Sequence, residues 1–175
     1  MLDVVYGKAS LSGSTLILDA DQERAKRNDG IGCCLAFMPW DGAKLSLDVE
    51  LVRQWWPHKW ADLWFVTRPA GYIFIAGANR PKSYPLRYAR FRENCWEVGI
   101  VNDGTRQGQV IVATGAREGR DERQRFYTVS QQGKALNIYW SGQDETVSLF
   151  APRTGELGLY CEASIVKLQY ERAEG

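Results

Sequence analysis

The chain has 175 residues, a length that suits one all-β domain, and 45% of them are hydrophobic, which excludes general disorder. Lys plus Arg total 22 against 21 Asp plus Glu, so no net positive field draws the chain to nucleic acid or to an anionic membrane. Residues 1–10 lack a basic segment followed by an apolar run, and no stretch reaches the length of a spanning helix; the expectation is a cytoplasmic protein without a signal peptide or membrane contact.

In chain order the hydrophobic pattern has a period of two. Strand-like runs occupy residues 15–18 and 31–37, separated by a charged segment at 19–30 that has no apolar stripe and reads as a loop. Leu45, Leu47, Val49 and Leu51 then alternate with Lys44, Ser46, Asp48 and Glu50, the signature of a strand with one buried and one wet face. Runs at 62–68 and 72–76 flank the short loop Arg68-Pro69-Ala70-Gly71, and a further run covers 85–91. Trp96, Val98 and Ile100 alternate with Glu97 and Gly99 before the reversal at Asn102-Asp103-Gly104. Residues 109–114, 126–130, 145–150 and 156–161 follow, together with the alternating sets Leu136/Ile138/Trp140 and Val166/Leu168/Tyr170. Short polar turns at 131–134 and 141–144 bracket one strand at hairpin spacing. About a dozen short strands at such intervals predict a single antiparallel β-sandwich over residues 1–175.

Four segments carry residues with chemical potential. Asp48 and Glu50, two apart on a strand, lie on one face about 7 Å apart, a separation at which one carboxyl can act as acid and the other as base or nucleophile on a glycoside. The same spacing is also that of any solvated sheet face. The run Gln54-Trp55-Trp56-Pro57-His58-Lys59-Trp60, with Trp64 close behind, places more indoles together than one inward strand face accepts. Indole stacks on the C–H face of a sugar ring and donates to hydroxyls, so Trp55, Trp56 and Trp60 are candidate glycan contacts; the plainer alternative is a plug over one end of the core. His58, the sole histidine, has a pKa suited to acid/base work but no partner visible in the sequence. Tyr84, Tyr88 and Phe91 interleave with Arg87, Arg90 and Arg92; Tyr88 is a candidate stacking group and Arg90 a polar anchor, or both are ordinary sheet-face residues.

Cysteine offers no metal site. Cys33 and Cys34 are adjacent in a strand and point to opposite faces, Cys95 and Cys161 stand alone, and no Cys-x-x-Cys pair occurs. The expectation is four reduced thiols, no metal and no cofactor.

Two stretches resemble a known superfamily. Phe126-Tyr127-Thr128-Val129, then the run from Gly133 through Leu136 to Trp140, then Gly155-Glu156-Leu157-Gly158-Leu159-Tyr160-Cys161-Glu162, resemble the closing strands of concanavalin A-like (laminin G-like) sandwiches. Residues 61–68 followed by Gly71-Tyr72-Ile73-Phe74-Ile75 resemble the central hairpin of the same superfamily. The resemblance implies a jelly roll with a concave sheet, in a group that holds lectins, glycosidases, lyases and adhesion modules alike. The motifs that specify an activity within it are missing. Family 16-type glucanases carry three alternating acidic residues, where this chain has Asp48 and Glu50 and Ser46 takes the third place. The Asn-Ser-Gly segment of keto-disaccharide hydrolase-like domains has no counterpart, and His58 is followed by Lys59 and Trp60 rather than by the galectin-like His-x-Asn-x-Arg.

The reading that follows is a carbohydrate- or glycoside-binding module, its ligand held by a concave sheet and the Trp-rich loop through Trp55, Trp56, Trp60, Tyr88 and Arg90. Two alternatives stand beside it. One is a hydrolase or lyase acting on a glycoside through Glu50, Asp48 and His58. The other is a structural or oligomerisation domain that buries the Trp-rich loop against a partner chain. The sequence leaves the oligomeric state open.

Overall fold

The computed structural model describes residues 1–21, 32–55, 63–69, 86–92, 95–101, 109–116, 124–141 and 145–173. Among the described residues fourteen strands form two antiparallel sheets of seven. The first sheet runs, edge to edge, β1 (Asp3–Tyr6), β4 (Cys33–Pro39), β13 (Glu156–Glu162), β6 (Leu63–Thr67), β7 (Leu86–Phe91), β8 (Cys95–Val101) and β9 (Gln109–Ala116). The second runs β12 (Glu145–Phe150), β11 (Ala135–Trp140), β10 (Gln124–Gln132), β5 (Leu45–Gln54), β14 (Ser164–Arg172), β3 (Thr15–Asp19) and β2 (Lys8–Ser12). The period-two pattern decides which side of each strand turns inward. Leu45, Leu47, Val49 and Leu51 of β5, Leu136, Ile138 and Trp140 of β11, and Val166 and Leu168 of β14 meet Cys34, Ala36 and Met38 of β4 and Phe65 of β6 in one core. At its centre Phe65, Phe91, Tyr127 and Trp140 contact one another, with ring centroids 5.2 to 5.8 Å apart.

Two of the crossings between the sheets are made by a single residue, each held at positive φ. Gly7 (φ 74°) carries it from β1 to β2, and Ala163 (φ 51°) from β13 to β14. A Cβ on Gly7 would stand 2.7 Å from the carbonyl oxygens of both Asp19 and Cys33, so glycine is required there on grounds of space as well as of φ. The second crossing is tied down by hydrogen bonds: the Ala163 N–H donates to the Gly32 carbonyl at 3.2 Å, and the Trp55 N–H donates to the Ala163 carbonyl at 3.1 Å.

Side chains fasten the rest of the sandwich. Arg68, just past β6, is buried and donates to Glu156 through Nε and Nη2 at 2.8 and 2.9 Å and to Asp3 through Nη1 at 2.9 Å. Its guanidinium also lies 3.8 Å from the centroid of the Phe37 ring, so β1, β4, β6 and β13 are clamped by one residue. Across the interior, the Trp96 indole N–H donates to Glu145 at 3.0 Å, joining β8 to β12. Arg125 points inward from β10 and is fully buried, donating to the Phe91 carbonyl at 3.1 Å, with its guanidinium 4.9 Å from the Trp140 ring.

The strands expected at 15–18, 31–37, 45–51, 62–68, 85–91, 96–100 and 109–114 are present to within a few residues at the ends, as are those from 126 onward. The run at 72–76 and the greater part of the charged segment at 19–30 lie outside the described residues. β1 and β2 were not anticipated: each is only four or five residues long, with too few apolar positions to show a period.

Candidate functional site

The predicted site residues divide between opposite surfaces. Asp48 and Glu50 lie on the outward face of the second sheet, facing Phe126 and Gln124 across β10 and Gln169 and Lys167 across β14. Asp48 accepts a hydrogen bond from Gln124 Nε2 at 2.9 Å, and Glu50 is exposed. Trp55, immediately after β5, is half-buried against the core, with the Arg53 guanidinium 5.5 Å from its ring. Trp56, His58 and Trp60 lie outside the described residues. Tyr88 and Arg90 belong to the outward face of the first sheet, because their register partners Val66, Trp64, Gly99 and Glu97 all point away from the core. Two packed sheets stand about 10 Å apart, so a ligand on the Tyr88 side is out of reach of Asp48 and Glu50.

That outward face of the first sheet is where aromatic and charged groups converge. β4 and β6 are apolar on both sides, and Leu35, Phe37, Trp64, Val66, Leu86 and Tyr88 form a second cluster against the sheet, with Tyr160 packed beside it. Trp64 is its centre: its ring lies 4.6 Å from that of Tyr88 and 5.0 Å from that of Tyr160, the latter edge-on. Tyr88 is 1% exposed and lies flat across β8, where only glycine fits: a Cβ on Gly99 would sit 2.5 Å from its hydroxyl oxygen. The Arg90 guanidinium stacks over Trp64 at 4.8 Å and turns its Nη1 toward Glu97 Oε2 at 3.8 Å. Arg92 approaches the other carboxylate oxygen of Glu97 at 3.7 Å. Glu97 is 8% exposed, and a carboxylate that deep needs cations close by; two guanidiniums provide them. At the far side of the cluster the Tyr160 hydroxyl donates to Glu162 Oε1 at 2.8 Å.

Two polar atoms in this cluster are unsatisfied. Among the described residues Trp64 Nε1 has no acceptor and Glu97 Oε2 has no donor within hydrogen-bond geometry, although both are buried. A buried donor or acceptor left in this state costs about 1–3 kcal/mol, so natural chains keep few of them, and those they keep call for an explanation. One of the two is a donor on β6 and the other an acceptor on β8, on the same face of the first sheet with Arg90 of β7 between them. A hydroxyl group, which gives one hydrogen bond and takes others, complements both.

A concavity opens at one end of the sandwich, where Met38, Trp40, Asp41, Leu45, Tyr170 and Arg172 line an open cleft. Asp41 accepts the Ala43 N–H at 2.9 Å and pairs with Arg172; the Ala43 amide above all holds its carboxyl below the usual range. Tyr170 donates its hydroxyl to the Gly13 carbonyl at 3.2 Å, and the Trp40 indole N–H donates to Ala43, so the aromatic polar tips here are occupied. Among the described residues no three His, Cys, Asp or Glu side chains come together as a metal-ion cage. The four cysteines form no disulfide, with Cys33, Cys34 and Cys161 buried and Cys95 half-buried.

Trp64, Glu97 and Tyr160 were not singled out as site residues from the sequence. Glu97 sits in the wet half of an alternating strand, and alternation alone does not show that the outward face of β8 is buried there. The one signal available was the run Leu63-Trp64-Phe65-Val66, which is apolar at every position and therefore buried on both faces.

No protein-family model matches the chain, and no curated sequence does either. Solved structures do. The carbohydrate-binding module CBM66 from Bacillus subtilis aligns with a TM-score of 0.52 at 11% identity, over 97% of this chain and 94% of that one. The exoplasmic/lumenal domain of VIP36 in its Ca2+/Man-bound form aligns with a TM-score of 0.50 at 11% identity, over 99% of this chain and 84% of that one. The catalytic domain of an endo-1,3-beta-glucanase (laminarinase) from Thermotoga petrophila RKU-1 gives 0.50 at 8% identity, over 97% and 88%. At such identities the likeness speaks for the fold, and the fold is the concanavalin A-like jelly roll that the sequence resemblance implied.

Proposed function

We propose that the chain is a carbohydrate-binding module that takes its glycan on the outward face of the first sheet, at the cluster of Trp64, Tyr88, Tyr160, Arg90 and Glu97. The observation that carries this is the unsatisfied pair, Trp64 Nε1 and Glu97 Oε2, on one face of the first sheet. Both atoms are buried, so a glycan meets them as that face opens, its hydroxyls accepting from the indole and donating to the carboxylate. The fold likeness supports the same class, since CBM66 is named for binding carbohydrate and the VIP36 domain was solved with mannose.

Binding is favoured over catalysis by where the carboxylates stand. Glycoside hydrolysis needs two of them flanking the scissile bond, about 5 to 10 Å apart. Glu97 is instead held between two arginines, and the regularly spaced pair Asp48 and Glu50 lies on the opposite surface, where Glu50 is open to water.

A glycan array followed by calorimetry tests the proposal with two conservative variants. Trp64→Phe keeps an aromatic ring and removes the N–H; Glu97→Gln keeps the shape and removes the charge. Each is expected to weaken binding roughly tenfold, the worth of one hydrogen bond in a desolvated site. A folded protein that binds no glycan, or variants that bind as well as the parent, would refute it.

A further inference from the structure

β9, at one edge of the first sheet, is built unlike the other three sheet edges. Its consecutive residues Val110, Ile111 and Val112 are 53%, 54% and 64% exposed, so apolar β-branched side chains meet water on both sides of the strand. Gln109–Ala116 contains no charged residue and no proline. The other three edges carry the usual guards. β1 is only four residues long, bears Asp3 and has an irregular register between Val4 and Tyr6; β2 bears Lys8; β12 bears Glu145. On β9 the one such feature is the register shift opposite Val98 and Gly99. Among the described strands it pairs with β8 alone, which leaves the backbone groups along its outer side without a strand partner.

We infer that β9 is a homotypic interface: two copies of this chain pair β9 to β9, antiparallel about a two-fold axis, so that the first sheet continues from one protomer into the other. An open row of backbone donors and acceptors is matched by another strand, which fixes the kind of occupant. Charge then selects which strand. A two-fold axis sets each side chain near its own copy, so any charge in β9 would face a like charge; an eight-residue edge with no charge removes that obstacle for a second copy. Pairing also brings the exposed valines and isoleucine of one copy against those of the other. The contact is a single strand pair and lies at the low end of protein interface sizes, so the dimer is a reversible one.

The two-fold places Val112, near the middle of the strand, within about one residue of its copy. Sedimentation of the full chain from low to high micromolar concentration is expected to show monomer passing reversibly to dimer. Val112→Lys and Val112→Asp, at a side chain mostly in water, leave the fold unchanged by circular dichroism and each raise the dimer dissociation constant at least about tenfold through like-charge repulsion. An equimolar mixture of the two variants restores dimerisation, because Lys then meets Asp. A chain that stays monomeric over the whole range overturns the inference. So does a dimer indifferent to both substitutions, or one that the mixture fails to restore, since a partner bound elsewhere or in another symmetry would not couple position 112 to itself.

Discussion

The crossing at Gly7 tests how the two sheets are joined, because the one-residue crossing at Ala163 supplies its control. Substituting Gly7 by Ala has two costs. Alanine at φ 74° pays about 1–2 kcal/mol for the left-handed region. Its Cβ then lies 2.7 Å from two backbone carbonyl oxygens and 2.9 Å from Cys34 Cβ, so the end of β3 and the start of β4 must separate by several tenths of an ångström. Overpacking of that kind costs about 1–3 kcal/mol, against about 0.4–1 kcal/mol returned by the stiffer unfolded chain. The balance is a loss of about 3 kcal/mol, which lowers Tm by roughly 6–12 °C in a chain of this size. Ala163→Gly is the control. It relieves about 1 kcal/mol of left-handed strain but gives up a buried methyl and a comparable amount of unfolded-state entropy, so its net effect stays within about 1 kcal/mol of zero. Urea unfolding followed by tryptophan fluorescence measures both. A loss below about 1 kcal/mol for Gly7→Ala would mean that the crossing has room to relax, and that close contact is not what demands glycine there.

Two further outcomes follow from buried polar groups. Arg68→Ala leaves Glu156 with Arg153 alone and removes the clamp from Asp3 and Phe37, so about 3 kcal/mol of stability should disappear in urea titrations; an effect under 1 kcal/mol would show the clamp to be ornamental. The Cys161 thiol is pushed well up, chiefly by burial and further by the neighbouring Cys34, so it stays protonated in the folded chain after the unfolded chain has begun to ionise near pH 8.5. Its contribution to stability is complete below that pH and is lost as pH rises toward the folded value, by about 1.4 kcal/mol per pH unit. Cys161→Ala should flatten the alkaline slope of the urea midpoint between pH 8 and 10, and an unchanged slope would remove this thiol from the account.

The fold was legible because strands with one wet face announce themselves. β5 shows it most clearly: Leu45, Leu47, Val49 and Leu51 are buried, while Asp48 and Glu50, between them, are not. The hairpin turn before β11, with Gly133 at φ 59°, was equally plain. Local pattern failed wherever burial is imposed from a distance. Arg125 is a charged residue at an inward position, and in the sequence it follows closely on the charged run 117–123. The Phe91 carbonyl and the Trp140 ring, contributed by β7 and β11, show in the folded chain how a guanidinium is held there.

Of the candidate site only Tyr88 and Arg90 were legible in the sequence, and the rest stayed hidden for the same physical reason. Alternation says that Glu97 and Trp96 point to opposite faces, but it does not say which face is the drier. In the folded chain Glu97 is the buried one and Trp96 only partly so, because the first sheet is apolar on its outward side where β4 and β6 run through it. A strand with two dry faces turns its polar members into interior groups, and those then require partners from other strands. Arg90 and Arg92 meet that requirement for the charge of Glu97 without completing its hydrogen bonds, and Trp64 is left with a donor and no acceptor. Three indoles around Pro57 draw attention to the loop, most of which lies outside the described residues. Among the described residues the tryptophan with an unanswered N–H is Trp64, in the strand that follows, where a continuous apolar run conceals it. An orphaned donor is a property of the assembled sheet and cannot be read from any one strand.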